Sequence, residues 1–172
     1  MGHNISITKT FTMSFKIQNV EIGGETPFFL LGPCSLENED FAWEMARSIK
    51  EICARVGVPF IFKASYDKAN RTSVKSFRGP GIQEGCRILA EIGKELQVPV
   101  VTDVHTEDQA EYAAQFVDLL QVPAFLSRQS DLLEACANTG RPVSVQKGQF
   151  LAPWDCKTTC DKMVAFGCGQ SM

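Results

Sequence analysis

The chain contains no G-x-G-x-x-G and no Walker-type G-x-x-x-x-G-K-[ST] loop, so the glycine-rich turns that cradle nucleotide phosphates give no support to nucleotide binding. No run approaches the roughly 18 apolar residues of a membrane-spanning helix, and residues 1–27 lack the charged start and unbroken apolar core of a secretory signal. A charge excess is absent as well. Seventeen Lys and Arg against twenty Asp and Glu leave a net charge of −3, which provides no general footprint for nucleic acid and confines any anion site to a local cluster. With 44% hydrophobic and 22% charged residues in 172, the composition is that of one globular domain with a substantial core.

Cysteine, by contrast, is plentiful. The seven are scattered, odd in number and at no standard zinc spacing, which points to free thiols in a reducing cytoplasm. One of them stands out by its place: GPCSLE (32–37) follows the apolar run FFLL, putting Cys34 at the mouth of a turn. A packed thiol, half of a disulfide, a nucleophile and a metal ligand all fit that position.

Residues 1–14 are expected to be a disordered leader, with Met13 an alternative start, and FKIQNVEIGG to form a capping hairpin. From residue 28 onward, short apolar segments alternate with amphipathic ones. FFLL, PFIF, VPVV, VDLL and PVSV are separated by helical patterns, and WDCKTTCDKMVAFG closes the chain as a last helix. Near-continuous apolar strands between helices mark a parallel sheet covered on both faces, which leaves an open doubly wound sheet or a β/α barrel. Each strand turns polar at its carboxyl end, at Cys34, Lys63, Asp103, Gln121 and Lys147. One polar group per strand end suits a barrel mouth, where all carboxyl ends converge, better than an open sheet, where only those near the switch point share a pocket. The expected fold is a TIM-type (β/α)8 barrel represented by about five units over residues 15–172. Eight units take about 250 residues, so the ring is expected to be incomplete, with strands one and five as open edges.

The loop KASYDKANRTSVKSFRGPG (63–81) holds Lys63, Lys68, Arg71, Lys75 and Arg78 against the single acid Asp67. In a chain of net negative charge this concentration asks for an anionic ligand, although a solvated basic loop would look the same. Lys63 and Lys147 end apolar strands, where a lysine could form a Schiff base or stay charged and hold a carboxylate or phosphate.

Taken in order, GPCSLE, FKASYDKANRTS, SFRGPG, VTDVH, LLQVPAFLSRQSDL and KGQFLAP resemble the 3-deoxy-D-manno-octulosonate 8-phosphate synthase family. The resemblance runs from about residue 15 to about residue 155. It implies a β/α barrel that condenses phosphoenolpyruvate with arabinose 5-phosphate and water and releases phosphate, in a cytoplasmic homotetramer of lipopolysaccharide-sugar biosynthesis. The related 3-deoxy-D-arabino-heptulosonate 7-phosphate synthases typically carry a KPRT-type loop where this chain reads KANRTS, which favours the five-carbon sugar phosphate. By the resemblance, Lys63, Lys68 and Lys147 hold phosphoenolpyruvate, and Asn70, Arg71 and Thr72 bind the sugar phosphate. Asp103, Gln121 and Gln149 line the same pocket, and Arg128 reaches a neighbouring subunit. His105 is placed near the pocket, with a structural role as the alternative. Cys34 matches the metal-dependent class, implying Zn²⁺, Fe²⁺ or Mn²⁺. The His, Glu and Asp that complete that site in the family come from strands six to eight, which this sequence does not contain, so a catalytically inactive partial barrel serving as an assembly fragment is the contrasting expectation.

Overall fold

A computed structural model describes residues 14–169. The expected leader therefore falls almost wholly outside the described residues. The hairpin forms as anticipated: β1 (Phe15–Ile17) pairs antiparallel with β2 (Val20–Ile22). The remaining strands are β3 (Phe29–Leu31), β4 (Phe60–Lys63), β5 (Val100–Asp103), β6 (Leu119–Val122) and β7 (Val143–Val145). They form one parallel sheet in the order β3-β4-β5-β6-β7. A doubly wound sheet reverses its strand order at a switch point. Here every strand lies beside its sequence neighbours, as the staves of a barrel do, and the sheet is a curled half-barrel whose open edges are β3 and β7.

Five helices follow the strands: α1 (Glu39–Val56), α2 (Ile82–Leu96), α3 (Glu107–Ala113), α4 (Ser130–Asn138) and α5 (Cys156–Ala165). α1 begins where the Asn38 side chain accepts the Phe41 N–H at 2.8 Å, and ends at left-handed Gly57, whose N–H reaches the Cys53 carbonyl. Both termini thus have partners for their orphan groups. Lys50 of α1 donates to the last-turn carbonyl of Leu96 in α2 at 2.7 Å, tying the two helices together.

Two separate apolar cores result from the period-2 alternation of strand side chains. Phe60, Phe62, Val100, Leu120, Val122 and Val143 face the helices. The alternate residues Ile61, Val101 and Leu119, with Leu30, pack against Ile17, Val20 and Ile22 of the hairpin, so the hairpin plugs the amino-terminal end of the half-barrel. Two residues further along each strand, the same inward row reaches Lys63, Asp103 and Gln121. The inner face is thus apolar at the floor and polar at the mouth.

Some boundaries differ from the sequence pattern. VPVV and VDLL mark strands, but β5 and β6 run two residues further, because the sheet only starts after Pro99 and Asp118. The Asp118 carboxylate accepts the Val100 N–H at 2.9 Å, and its own N–H reaches the Val100 carbonyl at 3.0 Å. Asp103 and Gln121 consequently stand inside the sheet, paired in register. Ile52 and Val56 share the apolar helical spacing of buried Ala42, Ala46 and Cys53 in α1, which reads as one core face, but remain 49% and 64% exposed, since β3 has a strand neighbour on one side only among the described residues.

Gly32 follows β3 where the chain passes the end of β4, and a Cβ built there would lie 1.9 Å from the Lys63 carbonyl oxygen. Because the obstacle is backbone, Gly32→Ala is expected to force β3 and β4 apart and to cost about 1–3 kcal/mol, read as a lowered midpoint in urea unfolding with the slope unchanged.

Candidate active site

At the carboxyl ends of β4, β5 and β6 lies a cavity of about 600 Å³. Its charged lining is Lys63, Lys68, Arg71 and Asp103, and its other polar lining includes His105, Asn70, Gln121, Gln146 and Gln149. A second depression of about 590 Å³, between α3 and α4, is lined by Glu111, Asp131 and Glu134 with no cation, which suits no anion.

The polar floor is built around Asp103, which is 7% exposed. Ser65 donates its hydroxyl to Asp103 Oδ1; the Lys63 ammonium lies 3.5 Å from the same oxygen and donates to Ser65 Oγ at 3.1 Å. On the other side, His105 Nε2 stands 3.2 Å from Asp103 Oδ2. Burial opposes the carboxylate charge. The hydrogen bonds from His105 and Ser65 and the cations Lys63 and Lys68 outweigh it, and hold the Asp103 carboxyl well below the usual carboxylate range. Burial pushes the Lys63 ammonium down, aided by repulsion from Lys68 and opposed by Asp103 and, more weakly, by Cys34.

The cations of the 63–81 loop have unequal fates. Arg78 forms a two-pronged ion pair with Asp67, and Lys63 is engaged by Asp103. Lys68 and Arg71 line the cavity with no carboxylate partner among the described residues; Arg71 Nε is held by the Phe77 carbonyl at 3.2 Å. Two uncompensated cations beside a partly desolvated lysine make a field for an anion with more than one charge.

Of the residues singled out from the sequence, Lys63, Lys68, Asn70, Arg71, Asp103, Gln121 and Gln149 meet at this cavity. Lys147 does not. It is exposed, and its ammonium is taken by the carbonyls of Gly148 and Leu151, each at 3.0 Å. Thr72 and Arg128 are exposed and outside the lining. Ser65 and Gln146 belong to the site and carry no signal in the sequence beyond adjacency to Lys63 and Lys147. Cys34 is an exposed free thiol close enough to Lys63 to influence it. Among the described residues no three His, Cys, Asp or Glu side chains converge on a metal-sized point. One thiol does not fill the coordination of Zn²⁺ or a similar ion, so the described residues alone do not fit a metal centre.

Comparison with known proteins adds to this geometry. The DAHP synthetase I family model matches residues 5–172. The chain is 55% identical over 149 residues to 2-dehydro-3-deoxyphosphooctonate aldolase of Koribacter versatilis, a match covering 87% of this chain and 54% of that protein. It is 53% identical over 153 residues to the protein of the same name from Acidithiobacillus ferrooxidans, covering 88% and 54%, and 53% identical over 157 residues to that of a Geobacter species, covering 91% and 58%. The chain thus spans about half the length of the curated relatives it matches. No helix among the described residues is long and apolar enough to cross a membrane.

The lowered pKa of Asp103 carries a sign. Its contribution to stability is complete above the unfolded carboxyl pKa of about 4 and is lost as pH falls through the lower native value. Asp103→Asn is expected to flatten the decline in thermal midpoint below about pH 4, a difference that paired melting curves would reveal. Equal acid slopes in the two proteins would contradict the charge balance described.

Proposed function

The chain belongs to the DAHP synthetase I family, and we propose that its strand-end cavity binds phosphoenolpyruvate and arabinose 5-phosphate for condensation to 3-deoxy-D-manno-octulosonate 8-phosphate. The observation that carries this reading is the pair of cations, Lys68 and Arg71, left without carboxylates beside Lys63 in a cavity of about 600 Å³. The name shared by the relatives supports the octulosonate product over the heptulosonate one, as does the KANRTS loop.

The reaction suits these groups. C3 of phosphoenolpyruvate attacks the sugar aldehyde, positive character develops at C2, water adds there, and phosphate leaves. Both substrates are anionic, so fixed cations must bring them together and offset their repulsion. Lys63, clamped by Asp103 and Ser65, and Lys68 hold the carboxylate and phosphate of phosphoenolpyruvate. Arg71 and Asn70 take the sugar phosphate, with Thr72 following in the same loop. Gln121 and Gln149 offer neutral amides to hydroxyls and to the attacking water. Lys147 joins as a further cation once its ammonium leaves the carbonyls it now caps. No covalent lysine is required.

Arg128, exposed beyond its own cavity, is assigned to the cavity of a neighbouring copy in a homotetramer. Cys34, Cys53, Cys86, Cys136, Cys156 and Cys160 are free thiols, consistent with a cytoplasmic setting. Cys34 is assigned as one donor to a divalent ion, Zn²⁺, Fe²⁺ or Mn²⁺, whose other donors are not among the described residues; no step above is routed through it.

Titration calorimetry with phosphoenolpyruvate, followed by phosphate-release assays with both substrates and added metal, tests the reading. The protein is expected to bind phosphoenolpyruvate, and Lys68→Ala or Arg71→Ala to weaken anion binding by about tenfold or more, as loss of a charge-assisted hydrogen bond implies. A folded protein that binds neither phosphoenolpyruvate nor arabinose 5-phosphate would sink it, whereas binding without turnover would favour an inactive partial barrel.

A further inference from the structure

Two groups outside the lining of the cavity are hydrogen-bonded into the segments that form its floor. Tyr66 follows Ser65 directly, and its hydroxyl donates to Gln109 Oε1 at 2.8 Å. The same oxygen accepts the backbone N–H of His105 at 2.9 Å. Gln109 sits in the first turn of α3, so one amide oxygen joins three elements: the segment after β4, the segment after β5 and the helix between β5 and β6. Two donors on one atom also fix the amide, since only the oxygen can accept both.

Tyr66 is not free to move away from this junction. It is 1% exposed, and its carbonyl accepts the Gly81 N–H at 3.1 Å. α2 presses on it closely enough that a Cβ at Gly85 would fall 2.3 Å from the Tyr66 Cβ. Burial raises the phenol pKa far above its ordinary value, so the hydroxyl keeps its proton and remains a donor. The Tyr66 ring meets the His105 ring edge-on, with centroids 6.0 Å apart at 68°, an arrangement favoured for aromatic pairs.

The surroundings of the His105 imidazole favour one tautomer. His105 Nδ1 is buried and has no hydrogen-bond partner among the described residues. A proton there would be a buried unsatisfied donor, whereas a proton on Nε2 is donated to the Asp103 carboxylate at 3.2 Å. Asp103 in turn steadies Lys63. A chain of contacts therefore runs from Tyr66 and Gln109 through His105 and Asp103 to the cavity's partly buried ammonium.

The geometry points to Gln109 and Tyr66 as positioning residues, which hold His105 in the Nε2–H form facing Asp103 and so set the placement of Lys63 for its anionic ligand. A purely structural account would make Gln109 a helix-start brace for α3. That account predicts a change in stability alone, with the imidazole unaffected in whatever protein remains folded. The inference rests on the reading of the cavity as a phosphoenolpyruvate site, but its spectroscopic part does not.

The test uses the whole chain labelled with ¹⁵N-histidine. Only His3 and His105 contribute, and a His3→Ala background leaves one ring. The expected starting spectrum is a single Nε2–H tautomer. Gln109→Met, which keeps the length and removes the acceptor, is expected to give a mixture of tautomers and about a fivefold loss of phosphoenolpyruvate affinity, the effect of one net hydrogen bond. Gln109→Glu, which keeps an acceptor, restores the single tautomer. Should Gln109→Met fail to fold, Tyr66→Phe deletes only the hydroxyl and is expected to shift the tautomer ratio in the same direction. An unchanged His105 ring in whichever of these two variants is folded overturns the inference. Lack of phosphoenolpyruvate binding in the unmutated chain, with the tautomer change intact, instead removes the functional reading and leaves the positioning role standing.

Discussion

Burying a carboxylate at the end of a sheet strand is costly unless donors surround it, and the layout of the site follows from how that cost is met at Asp103. Its two oxygens are shared between opposite sides, with Ser65 and Lys63 of the preceding unit on one and His105 of the segment after its own strand on the other. The arrangement locks β4 to β5 at the level of the cavity floor. It also opposes the burial that pushes the Lys63 ammonium down. Asp103 and Asp67 are committed to Lys63 and Arg78, and neither forms an ion pair with Lys68 or Arg71.

Beneath this layer the inward row is wholly apolar, and the hairpin closes it. The change from Ile61 to Lys63, from Val101 to Asp103 and from Leu119 to Gln121 therefore marks the boundary between a dry floor and a wet mouth. Ligand charges above it meet fixed charges with little water below them, where electrostatic contacts are strongest.

Much of this was legible in the sequence. The alternation of apolar segments and amphipathic helices, the polar strand ends and the basic loop lead to a half-barrel with Lys63, Asp103 and Gln121 at one mouth, and the structure places them there. What local pattern could not supply falls into two kinds. Strand ends are set by partners far along the chain: Asp118 closes onto Val100 across 18 residues, which moves β5 and β6 past their apolar runs. Side-chain direction at a strand end is set by which face the strand's own residues take. In β7 (Val143–Val145) the helix-facing parity is that of Val143 and Val145, which Lys147 shares, so the inward position falls to Gln146 at the cavity and the Lys147 ammonium turns to nearby carbonyls. The Tyr66 to Gln109 contact, 43 residues apart, has no periodic signature at all. Ile52 and Val56 read as core because helical spacing records which residues share a face, not whether a neighbour covers it.

The strand order has a further consequence, for how the molecule is made. Every pairing in the five-stranded sheet joins a strand to the one that precedes it in the chain, with one α-helix to be laid down between them. A nascent chain emerging amino end first meets each partner already synthesised and never waits for a distant segment to complete a pair. Loop closures stay short, which favours rapid folding, and the curved sheet can extend stave by stave from the hairpin upward as the polypeptide lengthens.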